Sequence, residues 1–250
     1  MFMGMEDVAA SVAGGGGGGA AEPPEGMTGW LKLDDATPGE ADAFPTVANA
    51  GSVEEDWTRN GSVITLQTEG GPNGMKYADK AVITGDHLKC GTKVVSDFVT
   101  AAKGMFGVIF SMEFTGNSSN AFNNSKICAG ASTYIGIASN LADVKIVPFY
   151  RGSSLNYVLP IDCAHDEWTA MVMRWERGAV NKLFGKVVGD ESWSEVAIGQ
   201  DAFSVADVMQ LFGGNGTFVI GSLAEWLAYA DQSEEDGDTL LAYLAERGGF

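Results

Sequence analysis

The stretch Phe106-Gly-Val-Ile-Phe-Ser-Met-Glu-Phe114 decides the fold class. Along an extended chain, Phe106, Val108, Phe110, Met112 and Phe114 fall on one side, and Gly107, Ile109, Ser111 and Glu113 on the other. This is the period of a β-strand with one face in a core. Working outward, short apolar runs of similar character occur at 62–67, 133–139, 144–150, 155–159, 167–176, 182–188, 217–221 and 223–229. They are separated by Asn73-Gly74, Arg151-Gly152, Arg177-Gly178 and Gly213-Gly214-Asn215-Gly216, residues that tolerate positive φ and so reverse the chain. So many strands in one chain of 250 residues require two packed sheets or a barrel. Within 223–229, Leu223, Glu225, Leu227 and Tyr229 share one expected face, and Ala224, Trp226 and Ala228 the other. Both faces are mostly apolar, so the strand reads as covered on both sides and Trp226 as packing. Trp168 and Trp175 fall on opposite faces of their strand, and at least one belongs to the core.

Helices are few. Ser233 is a good N-cap with Asp236 three residues on, Leu240, Leu241 and Leu244 form an apolar stripe, and Gly248 supplies a stop. Shorter helical turns are expected within 96–103 and 205–212. The first 26 residues differ from all the rest: a Met-rich start, six glycines at 14–19, then Pro23-Pro24. A segment so poor in apolar surface does not offset its own chain entropy. The chain therefore divides into a flexible Gly/Pro-rich arm, 1–26, and one β-domain, 27–250. Met1, Phe2, Met3 and Met5 are the side chains with which such an arm would anchor on a neighbouring subunit.

Charge limits the partners. With 33 acidic residues against 15 basic ones the net charge is −18, which repels nucleic-acid phosphates and anionic lipid surfaces. No run approaches the roughly 20 apolar residues of a membrane span, and no signal-peptide pattern is visible. Cys90, Cys128 and Cys163 are an odd set at wide spacing, with His87 and His165 the only imidazoles, so no zinc site is expected.

The last third of the chain carries a family resemblance. A Trp-led strand, Asp166-Glu-Trp-Thr-Ala-Met-Val-Met-Arg-Trp175, turns at Arg177-Gly178 into Lys182-Leu-Phe-Gly-Lys-Val-Val-Gly189. Phe218-Val-Ile-Gly221 and Leu223-Ala-Glu-Trp-Leu-Ala-Tyr229 then lead to the capped helix ending in Leu-Ala-Tyr-Leu244. This order resembles the concanavalin A-like lectin and glucanase superfamily, of laminin-G-like jelly rolls, found among other places in bacteriophage virion proteins. The match is closest over 217–250 and faint over 27–103. It implies an all-β, two-sheet antiparallel jelly-roll sandwich with a short C-terminal helix.

Some members of that superfamily hydrolyse glycosides with carboxylates at Glu-x-Asp-x-x-Glu or Glu-x-Asp-x-Glu spacing on one strand face. Neither spacing occurs here. Glu54-Glu55-Asp56 and Asp190-Glu191 with Glu195 read as solvated loop charges. There is no G-x-S-x-G elbow, and the glycine tract lacks the Gly-Lys-Ser/Thr ending of a P-loop. The chain is therefore read as non-enzymatic. No cofactor is expected; calcium is the one ion for which oxygen ligands are dense enough, at Asp34, Asp35, Glu40 and Asp42, although the Asp-x-Asp-x-Asp-Gly order is missing. For a glycan, Tyr150, Arg151, Asn156 and Tyr157 flank one expected hairpin and Tyr134 begins the strand before it.

The function expected from these readings is a structural protein of a virus particle: a bacteriophage capsid decoration, head-fibre or tail-associated subunit that also adheres to glycans. Its partners would be copies of itself, other virion proteins and host surface polysaccharide, and its place the virion. The alternative is a lectin-like carbohydrate-binding module not tied to a virion, extracellular or cytoplasmic.

Overall fold

A computed structural model describes residues 22–82, 84–113, 122–129, 134–140, 145–151, 156–161, 163, 167–178, 180–199, 208–212 and 220–250, and for 113, 122–129, 134–140, 145–151, 156–158 and 220 the backbone alone. The arm residues Met1, Phe2, Met3 and Met5 lie outside this set, as do Phe114 and His165. In chain order the strands are β1 (Gly29–Lys32), β2 (Val47–Ala48), β3 (Asp56–Asn60), β4 (Ile64–Gln67), β5 (Tyr77–Lys80) and β6 (His87–Val94). A one-turn helix α1 (Val95–Phe98) precedes β7 (Lys103–Glu113), β8 (Phe122–Ala129), β9 (Tyr134–Asn140), β10 (Lys145–Arg151) and β11 (Asn156–Val158). β12 (Thr169–Glu176), β13 (Lys182–Val187), β14 (Ser194–Ala197), β15 (Val208–Leu211) and β16 (Ile220–Tyr229) lead to helix α2 (Glu234–Gly248).

The strands form two antiparallel layers, one of the two arrangements the alternating runs allow, and the jelly-roll sandwich that the family resemblance implies. One layer is an eight-stranded sheet ordered β14-β13-β12-β7-β16-β5-β4, with β1 also paired to β16. The other consists of β11-β10-β9-β8 and β15-β6-β3-β2, with β8 running beside β15. Phe106, Val108, Phe110 and Met112 of β7 enter the core between the layers, as their spacing requires. There they meet Met171, Met173 and Trp175 of β12, Trp226 of β16 and Trp57, Leu88 and Cys90 from the opposite layer. Trp57, Phe98 and Trp226 pack mutually, with Trp57 and Trp226 in an edge contact at 5.3 Å.

The outer face of the eight-stranded sheet has its own core. Met105, Ile109, Ala170, Val172, Leu227 and Tyr229 pack under Leu240, Leu241, Tyr243 and Leu244 of α2. This is why the central strands are apolar on both faces. Gly107 makes room for the helix: a Cβ there would lie 2.8 Å from methyl carbons of both Leu240 and Leu244. The capping box forms as its residues predict, with the Ser233 hydroxyl accepting from the Asp236 backbone N–H. The helix runs one residue past the expected stop, and Gly249, at φ +72°, closes it.

The structure corrects several readings. The residues Val208–Leu211, expected in a helical turn, form β15, because Met209 and Leu211 alternate inward and pair with β6. The helical turn expected within 96–103 shrinks to α1, and Lys103 already belongs to β7. β16 is one strand where two were expected. Its pairing with β7 jumps from Leu223 opposite Phe110 to Glu225 opposite Ile109, so Ala224 is the extra residue of a β-bulge. The bulge breaks the expected alternation: Leu223 joins Trp226 and Ala228 in the inter-sheet core, while Ala224 faces the helix side with Leu227 and Tyr229.

Candidate functional site

Glu225 is the charge that the bulge places in the outer core. It lies in a strand of apolar residues and is fully buried. One carboxylate oxygen accepts hydrogen bonds from the Trp30 indole N–H and the Tyr243 hydroxyl, each at 2.7 Å. The other accepts from Arg247 Nε at 3.2 Å, and the same guanidinium donates through one nitrogen to both oxygens of Asp34 at 2.9 Å. A buried carboxylate survives only with this degree of compensation. Burial, reinforced by the adjacent Glu225 charge, drives the Tyr243 phenol well above its ordinary pKa, so it remains an O–H donor.

Each partner is delivered by a regular element. In β1, Leu31 turns into the inter-sheet core and Trp30 and Lys32 lie outward. Asn49 fixes this strand: its side-chain oxygen accepts from the Trp30 backbone N–H and the Trp57 indole, and its amide nitrogen donates to the carbonyls of Thr28 and Val53. Tyr243 and Arg247 stand one helical turn apart on α2, on the face toward β16.

Over these groups opens a cleft of about 410 Å³. Its walls are Trp30 and Lys32 from β1 and Tyr243 and Arg247 from α2. The third wall is Glu22, Pro23 and Glu25 from the end of the segment expected as an arm, together with Met27 just beyond it. The volume falls within the roughly 300–1,000 Å³ of small-ligand sites. The Trp30 ring is half-buried and carries the Lys32 ammonium at 4.9 Å from its centroid. Both cations of the cleft are paired, Lys32 with Asp34 at 3.7 Å and Arg247 with Asp34 and Glu225. The arrangement offers aromatic surface edged by donors and acceptors of both signs.

Other buried groups with chemical potential lie outside the cleft. Lys80, fully buried and pushed down to about 8 by desolvation, donates to the carbonyls of Thr84, Asp86 and Phe212. Burial pushes the Cys90 thiol up to about 12, and it packs among apolar neighbours. His87, three residues before it, shares its ring nitrogens with Asn60 and the Gly85 carbonyl. Among the described residues no group of three or more His, Cys, Asp or Glu could hold a metal ion. Asp34, one of the acidic residues weighed for calcium, is engaged by Arg247 instead.

The residues expected to bind glycan lie on the second layer. The backbone puts Arg151 in register with Tyr134 on one side and Asn156 on the other, and Tyr150 in register with Tyr157 and Ile135. All are thus brought into adjacent positions of β9, β10 and β11, while their side chains are outside the described set. The cleft, by contrast, was not read from the sequence. Its one signal is the acidic residue in Leu-Ala-Glu-Trp-Leu-Ala-Tyr, which a strand covered on both sides must supply with partners.

No family model matches the chain, and no curated protein matches it. Solved structures do share the fold. Domain 4 of AbnA, a GH43 extracellular arabinanase from Geobacillus stearothermophilus solved with arabinotriose, superposes with a TM-score of 0.59 at 12% identity over 87% of this chain and 98% of that one. A Trypanosoma rangeli sialidase gives 0.56 at 9% identity, over 90% of this chain and 34% of its own. The receptor-binding domain of a botulinum neurotoxin C/D mosaic serotype gives 0.56 at 7% identity, over 88% and 51%. The chain thus spans about a third of the sialidase and half of the neurotoxin domain. At these identities the likeness is one of fold: a β-sandwich of the kind found in carbohydrate-active and receptor-binding proteins.

Proposed function

We propose that the protein is a non-enzymatic, lectin-like module that holds a neutral oligosaccharide in the cleft between β1, α2 and the end of the arm. The observation that carries this reading is the pair of aromatic residues, Trp30 and Tyr243, fixed by one buried carboxylate at the floor of an open cleft. An indole held in one orientation costs little further entropy when a sugar ring lies on it. Lys32, Arg247, Glu22 and Glu25 supply hydrogen-bonding groups at its edge, and the paired cations leave no strong preference for an anionic sugar. Glu225 is fully committed to three donors, which suits a scaffold better than a general acid or base. The fold shared with a domain solved in complex with arabinotriose is consistent with this class of ligand.

The test is a glycan array of neutral oligosaccharides, arabinotriose among them, followed by calorimetry. The full chain should bind at least one of them, and Trp30→Ala should weaken it at least tenfold, about 1.4 kcal/mol, with folding checked by circular dichroism. No binding anywhere on the array, or equal affinity in the variant, overturns the cleft as the site. In the latter case Tyr150→Ala and Tyr157→Ala test the β10–β11 row in its place.

The setting we propose is the surface of a virus particle, where the module serves as a structural subunit among copies of itself and other virion proteins. The Gly-rich arm suits subunit contacts, and symmetric display would let a weak site act by avidity. Light scattering on the full chain and on a chain lacking 1–21 checks it. An oligomer lost on deletion supports an assembly arm; a monomer in both forms removes self-association through the arm.

A further inference from the structure

The end of the arm, Glu22–Gly26 in sequence, is the least anchored part of the cleft. It belongs to no helix or strand. Among the described residues two side-chain hydrogen bonds hold it to the domain: the Tyr229 hydroxyl donates to the Pro24 carbonyl at 3.1 Å, and Gln232 Nε2 donates to the Glu25 carbonyl at 3.2 Å. Burial keeps the Tyr229 phenol well above its ordinary pKa, so that donor persists at any physiological pH. Pro23 and Pro24 are half-buried, whereas Glu22 and Glu25 are exposed. Yet Glu22, Pro23 and Glu25 form one side of the 410 Å³ cleft. Without them, Trp30 and Tyr243 would lie beside an open surface.

We infer that docking of residues 22–26 and occupation of the cleft are one linked equilibrium, the segment acting as a wall that the ligand helps to hold in place. This rests on the proposed glycan-binding function. The Pro-Pro pair makes the arrangement economical, since a segment already confined in φ loses little freedom on docking. Linkage is reciprocal: if the docked wall raises affinity by a given factor, bound ligand favours docking by the same factor. The arm's end thereby sets which oligosaccharides fit. Whatever pulls on or holds the preceding residues 1–21 changes affinity at the site.

The wall carries its own reporter, because a Glu-specific protease cuts the Glu25-Gly26 bond, Glu22 being shielded by the proline that follows it. In the full chain, cutting after Glu25 is followed by mass spectrometry with and without the tightest neutral oligosaccharide from the array, and affinity is measured by calorimetry. A Tyr229→Phe/Gln232→Ala double variant, which removes both anchoring donors, is compared with wild type. A Glu22→Ala/Glu25→Ala variant, which keeps the anchors and alters the wall, reports affinity alone. The expected result is at least threefold slower cutting in the presence of the sugar. The double variant should be cut at least threefold faster and bind at least threefold more weakly, with an unchanged midpoint of thermal unfolding. Faster cutting with affinity within twofold of wild type in both variants overturns the linkage while leaving the glycan site intact. Unchanged cutting in the double variant overturns it too, because the two donors then do not hold the wall. No sugar binding by wild-type protein removes the linkage together with the function it rests on.

Discussion

Trp30 and Trp226 sit on paired strands, one residue out of step: Trp226 is opposite Leu31, and Trp30 is opposite Leu227. That single step sends them to opposite sides of the sheet. Trp226 points between the layers, fully buried against Trp57 and Phe98, and its ring N–H has no hydrogen-bond partner among the described residues. Trp30 points outward, keeps part of its ring exposed, and has its N–H held by Glu225. The two share size and hydrophobicity, so neither property distinguishes packing from recognition. The distinction lies in polar anchoring: a core indole needs only close neighbours, while an indole meant to meet a ligand must be oriented without being covered.

The comparison can be broken from either side. Trp226→Ala removes the centre of the aromatic cluster and should cost about 3–5 kcal/mol in urea unfolding, the range for large core truncations. Glycan binding by the molecules that remain folded should be unchanged. Glu225→Ala should cost a similar ~3–5 kcal/mol, since it strands the donors of Trp30, Tyr243 and Arg247. Here sugar affinity should fall as well, even under conditions where the protein stays folded. If Glu225→Ala spares binding, the oriented-indole argument is wrong. Gly29→Ala sharpens the comparison, because a Cβ at residue 29 would stand 2.5 Å from the Trp226 ring and 2.7 Å from Phe98. It should cost about 1–3 kcal/mol by overpacking beneath β1 and loosen Trp30 at the same time.

The smallest effect concerns the helix that carries Tyr243 and Arg247. Ser233→Ala should cost about 1 kcal/mol at neutral pH. The Ser233 hydroxyl and backbone N–H hold the Asp236 carboxyl below its ordinary pKa. A depressed carboxylate stabilises the fold above the unfolded value, near 3.9, and that contribution is lost as pH falls through the folded value. The gap between wild type and variant, measured by thermal unfolding, should therefore narrow below about pH 4.

How legible each region is follows from where its information lies. β7 and β12 were readable because period-two alternation is local and a one-sided core suffices to explain it. α2 was readable because Ser233, Asp236 and the leucines lie within a few turns of one another. β1, β3 and β5 were not, since a short strand such as Gly-Trp-Leu-Lys holds too few residues to show a period. The bulge at Ala224 was invisible because it is set by the pairing with β7, and with it went the true face of Leu223. The cleft was the least legible part. Trp30 and Glu225 are 195 residues apart, and each looks ordinary until the register brings them together.

That separation governs when the site comes into being. β1 leaves the ribosome long before β16, yet its hydrogen-bonding edge is completed only by β16 and its indole only by Glu225. At about 5–20 residues per second, roughly 10–40 s of synthesis pass between the two. Throughout that interval the nascent chain exposes Trp30 and Leu31 without the surface that receives them. A product released before residue 225 has no such surface to gain, so translation must pass β16 and α2 before this protein can recognise anything through the cleft.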